Sequence, residues 1–299
     1  MRLTRRRGRG MSGTMSRKRV IGAILVVAAI GACGSRDAGR VTASFFNPEE
    51  VPLETYSAEQ IFERGEFELN RRQPQDAAFY FAEIERLYPY SEWAKRALIM
   101  QAFSYHQDQD YPNSRSAAQR FIDFFPDDDD AAYAQYLLAL SYYDQIDEVG
   151  RDQGLTFQAL QSLRQVIERY PNSEYASAAI LKFDLAFDHL AGKEMEIGRY
   201  YLRRNHYTAA INRFRVVVED FQTTTHTAEA LHRLVEGYLS LGLNPEAQTA
   251  GAILGHNYQS SEWYQDSYRL LTGQGLEPKF YKNNWLGAIF RQTIKGEWL

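Results

Sequence analysis

The residue types that usually carry out chemistry are sparse in this sequence, and their spacing suits no familiar reaction. Among six histidines only His226 and His232 are near one another, and a six-residue step puts them on opposite sides of a helix, which predicts solvated helix surface. Four consecutive acids, Asp127–Asp130, stand at a predicted helix start, where carboxylates typically cap the helix and interact with its dipole. The sequence contains no Walker A, G-x-S-x-G or H-E-x-x-H motif. We therefore expect no catalytic residue, no metal site and no cofactor.

The single cysteine, Cys33, directly follows a sequence that has the features of a signal peptide. A basic run, Arg17-Lys18-Arg19, precedes the apolar residues 20–30, which are too few to span a bilayer because a span needs about 20 residues. The run ends in Ile30-Gly31-Ala32-Cys33, an order that resembles a bacterial lipobox. We predict a lipoprotein signal peptide over residues 1–32 and lipidation of Cys33. An uncleaved anchor with an incidental cysteine is the alternative.

A lipid on Cys33 would hold the mature chain on a membrane outside the cytoplasm. Residue 34 is glycine rather than the aspartate that commonly signals inner-membrane retention, which favours the outer membrane. Residues 33–56 are predicted to form a flexible tether because Gly, Ser, Asp, Asn and Pro are frequent there. A lone cysteine also excludes a disulfide scaffold and a cysteine-rich metal site.

The formal charge of −4 conceals an uneven distribution. Eight of the 34 basic residues lie within residues 1–32, which contain no acid. The rest of the chain therefore sets 26 basic against 38 acidic side chains. Because binding to nucleic acid requires Lys and Arg to neutralise phosphates, this excess of acids argues against a nucleic-acid partner.

The body of the chain is a series of repeats. Five segments share an aromatic residue, a helix-stopping residue and then a helix-capping candidate, which is a stop followed by a start. Small residues recur twelve positions before the helix-stopping residue of each segment, and mostly larger apolar ones follow four and seven positions later, on one helical face. This spacing resembles the tetratricopeptide helix-pair repeat and predicts an all-α solenoid of five helix pairs, about ten helices, with a C-terminal extension. The five segments are Tyr88–Trp93, Phe125–Asp130, Tyr170–Tyr175, Phe221–His226 and Tyr258–Trp263.

The distances between these stops predict where the repeats differ. The third repeat is longer because of a glycine-bounded loop, Asp147–Gly154, and the fourth because its first helix runs from about Ser173 to Arg203. We divide the body into repeats 1–3 over residues 57–172, and repeats 4–5 with an extra helix over residues 173–272. Residues 273–299 form a basic and aromatic tail, which is predicted either to meet a membrane interface or partner groove, or to fold back on the last repeat.

The first helices of stacked helix pairs form a concave face that binds ligands. In repeats 1–3 the positions expected to point into it are mostly aromatic and aliphatic, which suits a peptide with apolar and aromatic side chains. The candidate groove residues are Phe62, Leu69, Ile99, Phe103, Tyr133, Tyr136 and Tyr143.

Three runs carry a more specific resemblance. They are Leu87-Tyr88-Pro89-Tyr90-Ser91, the run from Arg169 to Ala176, and the run from Arg199 to Arg213. With the lipobox and the repeats, they make the chain similar to the BamD family of lipoproteins of the outer-membrane β-barrel assembly machine, over about residues 58–257. The resemblance implies a non-catalytic scaffold on the periplasmic face of the outer membrane.

The resemblance also implies partners. The amino-terminal repeats would receive the aromatic-ended C-terminal signal strand of unfolded outer-membrane proteins, and the C-terminal repeats would dock on the periplasmic domains of BamA beside other lipoproteins of the machine. The family's Asn-Arg pair matches Asn212 and Arg213, and we expect Arg213 to form an ion pair with BamA. A solvated helix arginine is the alternative for Arg213. The rival functions are a lipid-anchored adaptor for peptidoglycan or division enzymes and a periplasmic hydrolase, and the hydrolase lacks a recognisable acid/base pair.

Overall fold

The computed structural model describes residues 52–147 and 153–294, with side chains to residue 289, so the predicted signal peptide and Cys33 lie outside the described residues. After a short 3-10 turn, Leu53–Thr55, every regular element in the described part is an α-helix. The twelve helices are α1 (Ala58–Asn70), α2 (Pro74–Leu87), α3 (Glu92–Gln107), α4 (Tyr111–Phe124), α5 (Ala131–Tyr143), α6 (Gly154–Arg169), α7 (Glu174–Arg203), α8 (Tyr207–Asp220), α9 (Thr227–Ser240), α10 (Asn244–Asn257), α11 (Glu262–Gly273) and α12 (Trp285–Ile294).

The helices pack as five consecutive pairs, α1 with α2 through α9 with α10, and each pair also packs on the next. We call α1, α3, α5, α7 and α9 the first helices and their partners the second helices. First helices of adjacent pairs touch along the chain from α1 to α7, and α9 contacts α11 in the same way. This arrangement is a tetratricopeptide-like solenoid, as the repeat spacing predicts.

The predicted stops are the residues at which the second helices end. All five have closely similar backbone angles, with φ between −123° and −133°, and each amide donates to the carbonyl four residues earlier. The next helix then begins at a capping side chain in several repeats. The hydroxyls of Ser91 and Ser261 accept the backbone N–H three residues on, and Ser57 forms a capping box with Gln60. The five helix ends are Tyr88, Phe125, Tyr170, Phe221 and Tyr258.

The acidic run before α5 does not cap the helix as expected, because the N-cap residue Asp130 makes no side-chain capping hydrogen bond. The carboxylate of Asp128 accepts the backbone N–H of Asp130 at 3.0 Å and the ammonium of Lys95 at 2.7 Å. The hydrogen bond from Lys95 lowers the pKa of Asp128, and the bond from Asp130 acts in the same direction. Lys95 belongs to α3, so this carboxylate joins the second pair to the start of the third.

Small residues on first helices make room for large ones on second helices. A Cβ atom at Gly65 would lie 2.6 Å from Cε1 of Phe81, and the Gly198–Phe214 pair repeats this contact in the fourth pair. In the fifth pair the sizes are reversed, because Val235 stands on the first helix and Gly251 on the second. The space beside Gly251 is taken by Leu271 of α11, which is fully buried. The volume of each core layer is thus kept while its residues change.

The departures from the tetratricopeptide repeat pattern are explained by local structure. Glu68 occupies the place of the tyrosine found in three other repeats, and although only 5% exposed it pairs with Arg71 at 3.3 Å. Helix α7 is continuous over 30 residues, which confirms the long first helix of repeat four. None of the described helices combines the length and the apolar character that crossing a bilayer demands.

The tail folds back on the last repeat, which decides between the alternatives left open by the sequence for residues 276–289. The backbone N–H of Lys279 donates to the carbonyl of Gln248, and the Gln248 amide donates to the carbonyl of Glu277. At the start of α12, Leu286 is fully buried, and Trp285 Nε1 donates to the hydroxyl of Tyr238 at 2.8 Å.

Candidate functional site

The first helices α1, α3, α5 and α7 lie side by side and carry the predicted groove residues. Phe62 and Ile99 are core residues, with 2% and 7% of their surface exposed. The Phe62 ring packs against Phe81 and Trp93, with centroids 5.2 and 5.0 Å apart. The expectation that these two side chains line the groove surface is therefore not met in this structure. Both side chains belong to the local hydrophobic cores instead.

The other five predicted residues are partly buried, each against its own local core. They leave part of each side chain at the surface of the first helices, and we refer to them together as the aromatic groove. These residues are Leu69, Phe103, Tyr133, Tyr136 and Tyr143.

The aromatic groove is densest between α5 and α7. The ring of Tyr175, at the start of α7, stacks on Tyr136 with centroids 5.5 Å apart and lies 5.1 Å from the ring of Tyr133. Sequence analysis missed Tyr175 as a site residue. The signal was present, because an aromatic residue recurs at the sixth position of the stop segments as Trp93, Tyr175 and Trp263.

Burial shapes the chemistry of these phenols. It raises the pKa of Tyr133, Tyr136 and Tyr143 above the ordinary tyrosine value. Burial and then a hydrogen bond with Glu174 raise the pKa of Tyr175 to about 12. All four hydroxyls are therefore protonated at neutral pH. The Tyr175 hydroxyl donates to Glu174, whereas those of Tyr133, Tyr136 and Tyr143 can donate to a ligand.

The second predicted site, Asn212 and Arg213, lies on α8. Asn212 is exposed. The Arg213 guanidinium keeps 43% of its surface and donates from Nη1 to Glu194 of α7 at 3.0 Å. The arginine expected to pair with a partner protein thus has an internal partner, which orients it at the surface.

The first helices of the fourth and fifth pairs are joined by charges. Arg199 of α7 donates to Glu229 of α9 at 2.9 Å, and Arg233 bridges Glu229 and Glu236 at 3.2 and 2.8 Å. Burial alone would raise the pKa of Glu236, but hydrogen bonds from His232 and Arg233 lower it. This network connects the two C-terminal pairs directly beneath their surface.

His232 corrects an expectation. It is only 4% exposed rather than solvated, with Nδ1 2.9 Å from the hydroxyl of Ser267 and its ring 5.3 Å from that of Trp263. Helix α11 covers this histidine, and a helical pattern within α9 alone does not reveal that cover. Among the described residues no cluster of His, Cys, Asp and Glu is arranged to hold a metal ion.

Fold and surface together define a helix-pair repeat protein of the tetratricopeptide type with partly exposed aromatic side chains on its first helices. The YfiO family, described as "Outer membrane lipoprotein", matches residues 54–253, and the chain belongs to this family. Its members connect the chain with the outer membrane and with the assembly of that membrane's proteins.

Three relatives carry the name outer membrane protein assembly factor BamD. The Caulobacter vibrioides protein is 46% identical over 86% of this chain and 82% of its own length. The Rickettsia prowazekii protein is 40% identical over 86% and 98%, and that of Neisseria meningitidis serogroup A is 27% identical over 72% and 84%. All three names describe assembly factors.

Among solved structures, PilW, a type IV pilus biogenesis factor, aligns with 70% of this chain and 96% of its own at 12% identity, with a TM-score of 0.32. The assignment of the fold comes from the helix packing of this chain itself.

Proposed function

We propose that the protein is a non-catalytic scaffold of the outer-membrane β-barrel assembly complex. A lipid on Cys33 anchors it to the periplasmic face of the outer membrane. The aromatic groove receives the C-terminal signal strand of unfolded outer-membrane proteins, and the surface around Asn212 and Arg213 docks on the periplasmic domains of BamA beside other lipoproteins of the complex.

The observation that supports client binding is the row of partly exposed rings on the first helices. Burying a ligand's aromatic side chain against them contributes about 1.5–3 kcal/mol before the cost of ordering the ligand is subtracted. Three or four such side chains give an affinity near the micromolar range, which suits a client that binds and then leaves.

Phe103→Ala combined with Tyr136→Ala tests the groove. We expect photocrosslinking between the full chain and a peptide ending in an aromatic residue to fall about tenfold, since two rings are removed. A matched variant, Tyr90→Ala with Phe124→Ala, removes the same residue types from exposed positions, with 101% and 65% exposure, outside the groove. It should crosslink like the unaltered protein.

Circular dichroism of both variants confirms that they remain folded. Equal crosslinking by the two double variants would contradict peptide binding in the groove.

Depletion of the protein in cells tests the wider role in the assembly of outer-membrane proteins. A scaffold of this complex predicts loss of many barrel proteins from the outer membrane, whereas a septation defect with normal barrels identifies an adaptor for division enzymes.

A further inference from the structure

A lysine beside the aromatic groove has an aromatic neighbour and, among the described residues, no ion-pair partner. The ammonium of Lys182, on α7, lies 4.5 Å from the ring centroid of Tyr143 on α5. Among the residues that the structure describes, no carboxylate forms an ion pair with Lys182, whereas Lys95, Arg120 and Arg199 each have one. A half-buried ammonium on a ring face still has N–H groups available to donate to an anion.

The surroundings of Lys182 offer stacking and hydrogen-bond donors. The stacked rings of Tyr136 and Tyr175 and the ring of Tyr133 lie along the same two helices. Within the described part of the chain, the hydroxyls of Tyr133, Tyr136 and Tyr143 make no hydrogen bond with another protein group. Tyr143 belongs both to the local core of α5–α7 and to the next one toward α8, so this lysine marks the junction of the third and fourth pairs.

The carboxylate that acts electrostatically on Tyr136 and Tyr143, that of Asp144, already faces a histidine. The carboxylate of Asp144, next to Tyr143, lies 3.0 Å from Nε2 of His106 on α3. A negatively charged ligand at Lys182 therefore meets a lysine that pairs with no carboxylate of the described residues and an aspartate that already faces a histidine.

We propose that Lys182 and Tyr143 bind the free α-carboxylate of a polypeptide whose final aromatic side chain stacks on Tyr136 and Tyr175. The inference rests on the proposed function and adds the orientation in which the client peptide binds. The C-terminus of the client lies at the junction of the third and fourth pairs, and the preceding residues run along the first helices toward Phe103 and Leu69.

Fluorescence anisotropy with the full chain tests this assignment. The probe is a peptide with a C-terminal phenylalanine, labelled at its N-terminus and made once with a free carboxylate and once as the amide. We expect the free acid to bind about fivefold more tightly, as suits one partly solvated charge-assisted contact. In Lys182→Met the two peptides should bind equally.

Lys279→Met is the matched control, because the ammonium of Lys279 lies 5.3 Å from the ring of Tyr281 in the tail, outside the groove. It should keep the fivefold preference. Arg96→Gln tests the opposite direction of binding, since the guanidinium of Arg96 lies over the rings of Phe62 and Trp93 at the other end of the groove.

Each outcome has a distinct meaning. Equal binding of acid and amide to the unaltered protein, or loss of the preference in Arg96→Gln but not in Lys182→Met, overturns the role of Lys182 and leaves the groove intact. Failure of both peptides to bind the unaltered protein contradicts the proposed function itself.

Discussion

At the scale of single residues, charges and small side chains have two kinds of role. Arg213 is held by Glu194 at 3.0 Å and yet keeps 43% of its surface, so an internal partner orients it without burying it. Gly65 has the opposite kind of role, because its missing side chain is what lets the Phe81 ring approach α1. Arg213 thus contributes to the surface of the protein, whereas Gly65 contributes to the packing of a core layer.

A charge swap separates the two roles of Arg213. Arg213→Glu alone should reduce co-purification with BamA at least fivefold, since it places a carboxylate next to Glu194 and reverses the charge offered to the partner. Combining Arg213→Glu with Glu194→Arg restores the internal ion pair. If the double variant regains thermal stability but not co-purification, Arg213 acts on the partner. Recovery of both would instead assign it a purely internal role.

Gly65→Ala should destabilise the fold by about 1–2 kcal/mol, although alanine favours helices, because the added methyl group overlaps Phe81. Urea unfolding monitored by circular dichroism measures the change. Gly273→Ala is the control, since no atom lies within 4 Å of a Cβ there. Phe81→Leu in the Gly65→Ala background should recover part of the loss, and a neutral Gly65→Ala would contradict the close-contact argument.

At the scale of elements, the lengths and ends of helices decide what each repeat contributes. Helix α7 supplies Tyr175 and Lys182 in its first half and Glu194, the partner of Arg213, in its second half, so one element serves both proposed sites. Besides the long helix α7, the tail also departs from the helix-pair pattern. It is bound to the fifth pair by hydrogen bonds from Trp285 and Gln248, and Arg215 lies 4.5 Å over the Trp285 ring.

Trp285→Ala should destabilise the C-terminal pairs by about 3 kcal/mol, since it removes a large packed ring, its hydrogen bond to Tyr238 and the contact with Arg215. Thermal unfolding measures the loss, and Lys282→Ala, an exposed position in the same segment, is the control. A change below about 0.5 kcal/mol, the range of ordinary surface substitutions, would show that the tail does not brace the last repeat.

At the scale of the whole molecule, stability is distributed over successive local cores. One cluster contains the first pair and the start of the second, and another contains the fourth and fifth pairs with the tail. Because each helix pair of the described residues packs mainly on its neighbours, the energetics approximate a sum of repeat and interface contributions. We therefore expect the first pair to open separately from the fourth and fifth pairs.

Hydrogen exchange tests this separation. Phe81→Ala removes a fully buried ring from the first pair and should cost about 3–5 kcal/mol locally, with faster exchange in residues 58–107 and little change in 227–257. Phe214→Ala, an equivalent ring of the fourth pair, should affect 207–257 and spare 58–87. Uniformly faster exchange throughout the chain in both variants would show that the repeats unfold as one unit.

The periodic pattern of the sequence by itself determined the all-α class, the five helix pairs, the five aromatic helix ends and the length of α7. These features depend on residues a few positions apart, because caps, stops and helical faces are local properties. Membership of the repeat class followed from their spacing for the same reason.

Only the tertiary structure decided which side of each helix meets which neighbour. It placed Phe62 and Ile99 in the core, brought Tyr175 onto Tyr136, covered His232 with α11 and docked Trp285 on Tyr238. These contacts join residues up to 47 positions apart, and they depend on the angles at which helices pack. A pattern along one helix records that a face is apolar, but the packing of the neighbouring helices determines whether that face is core or groove.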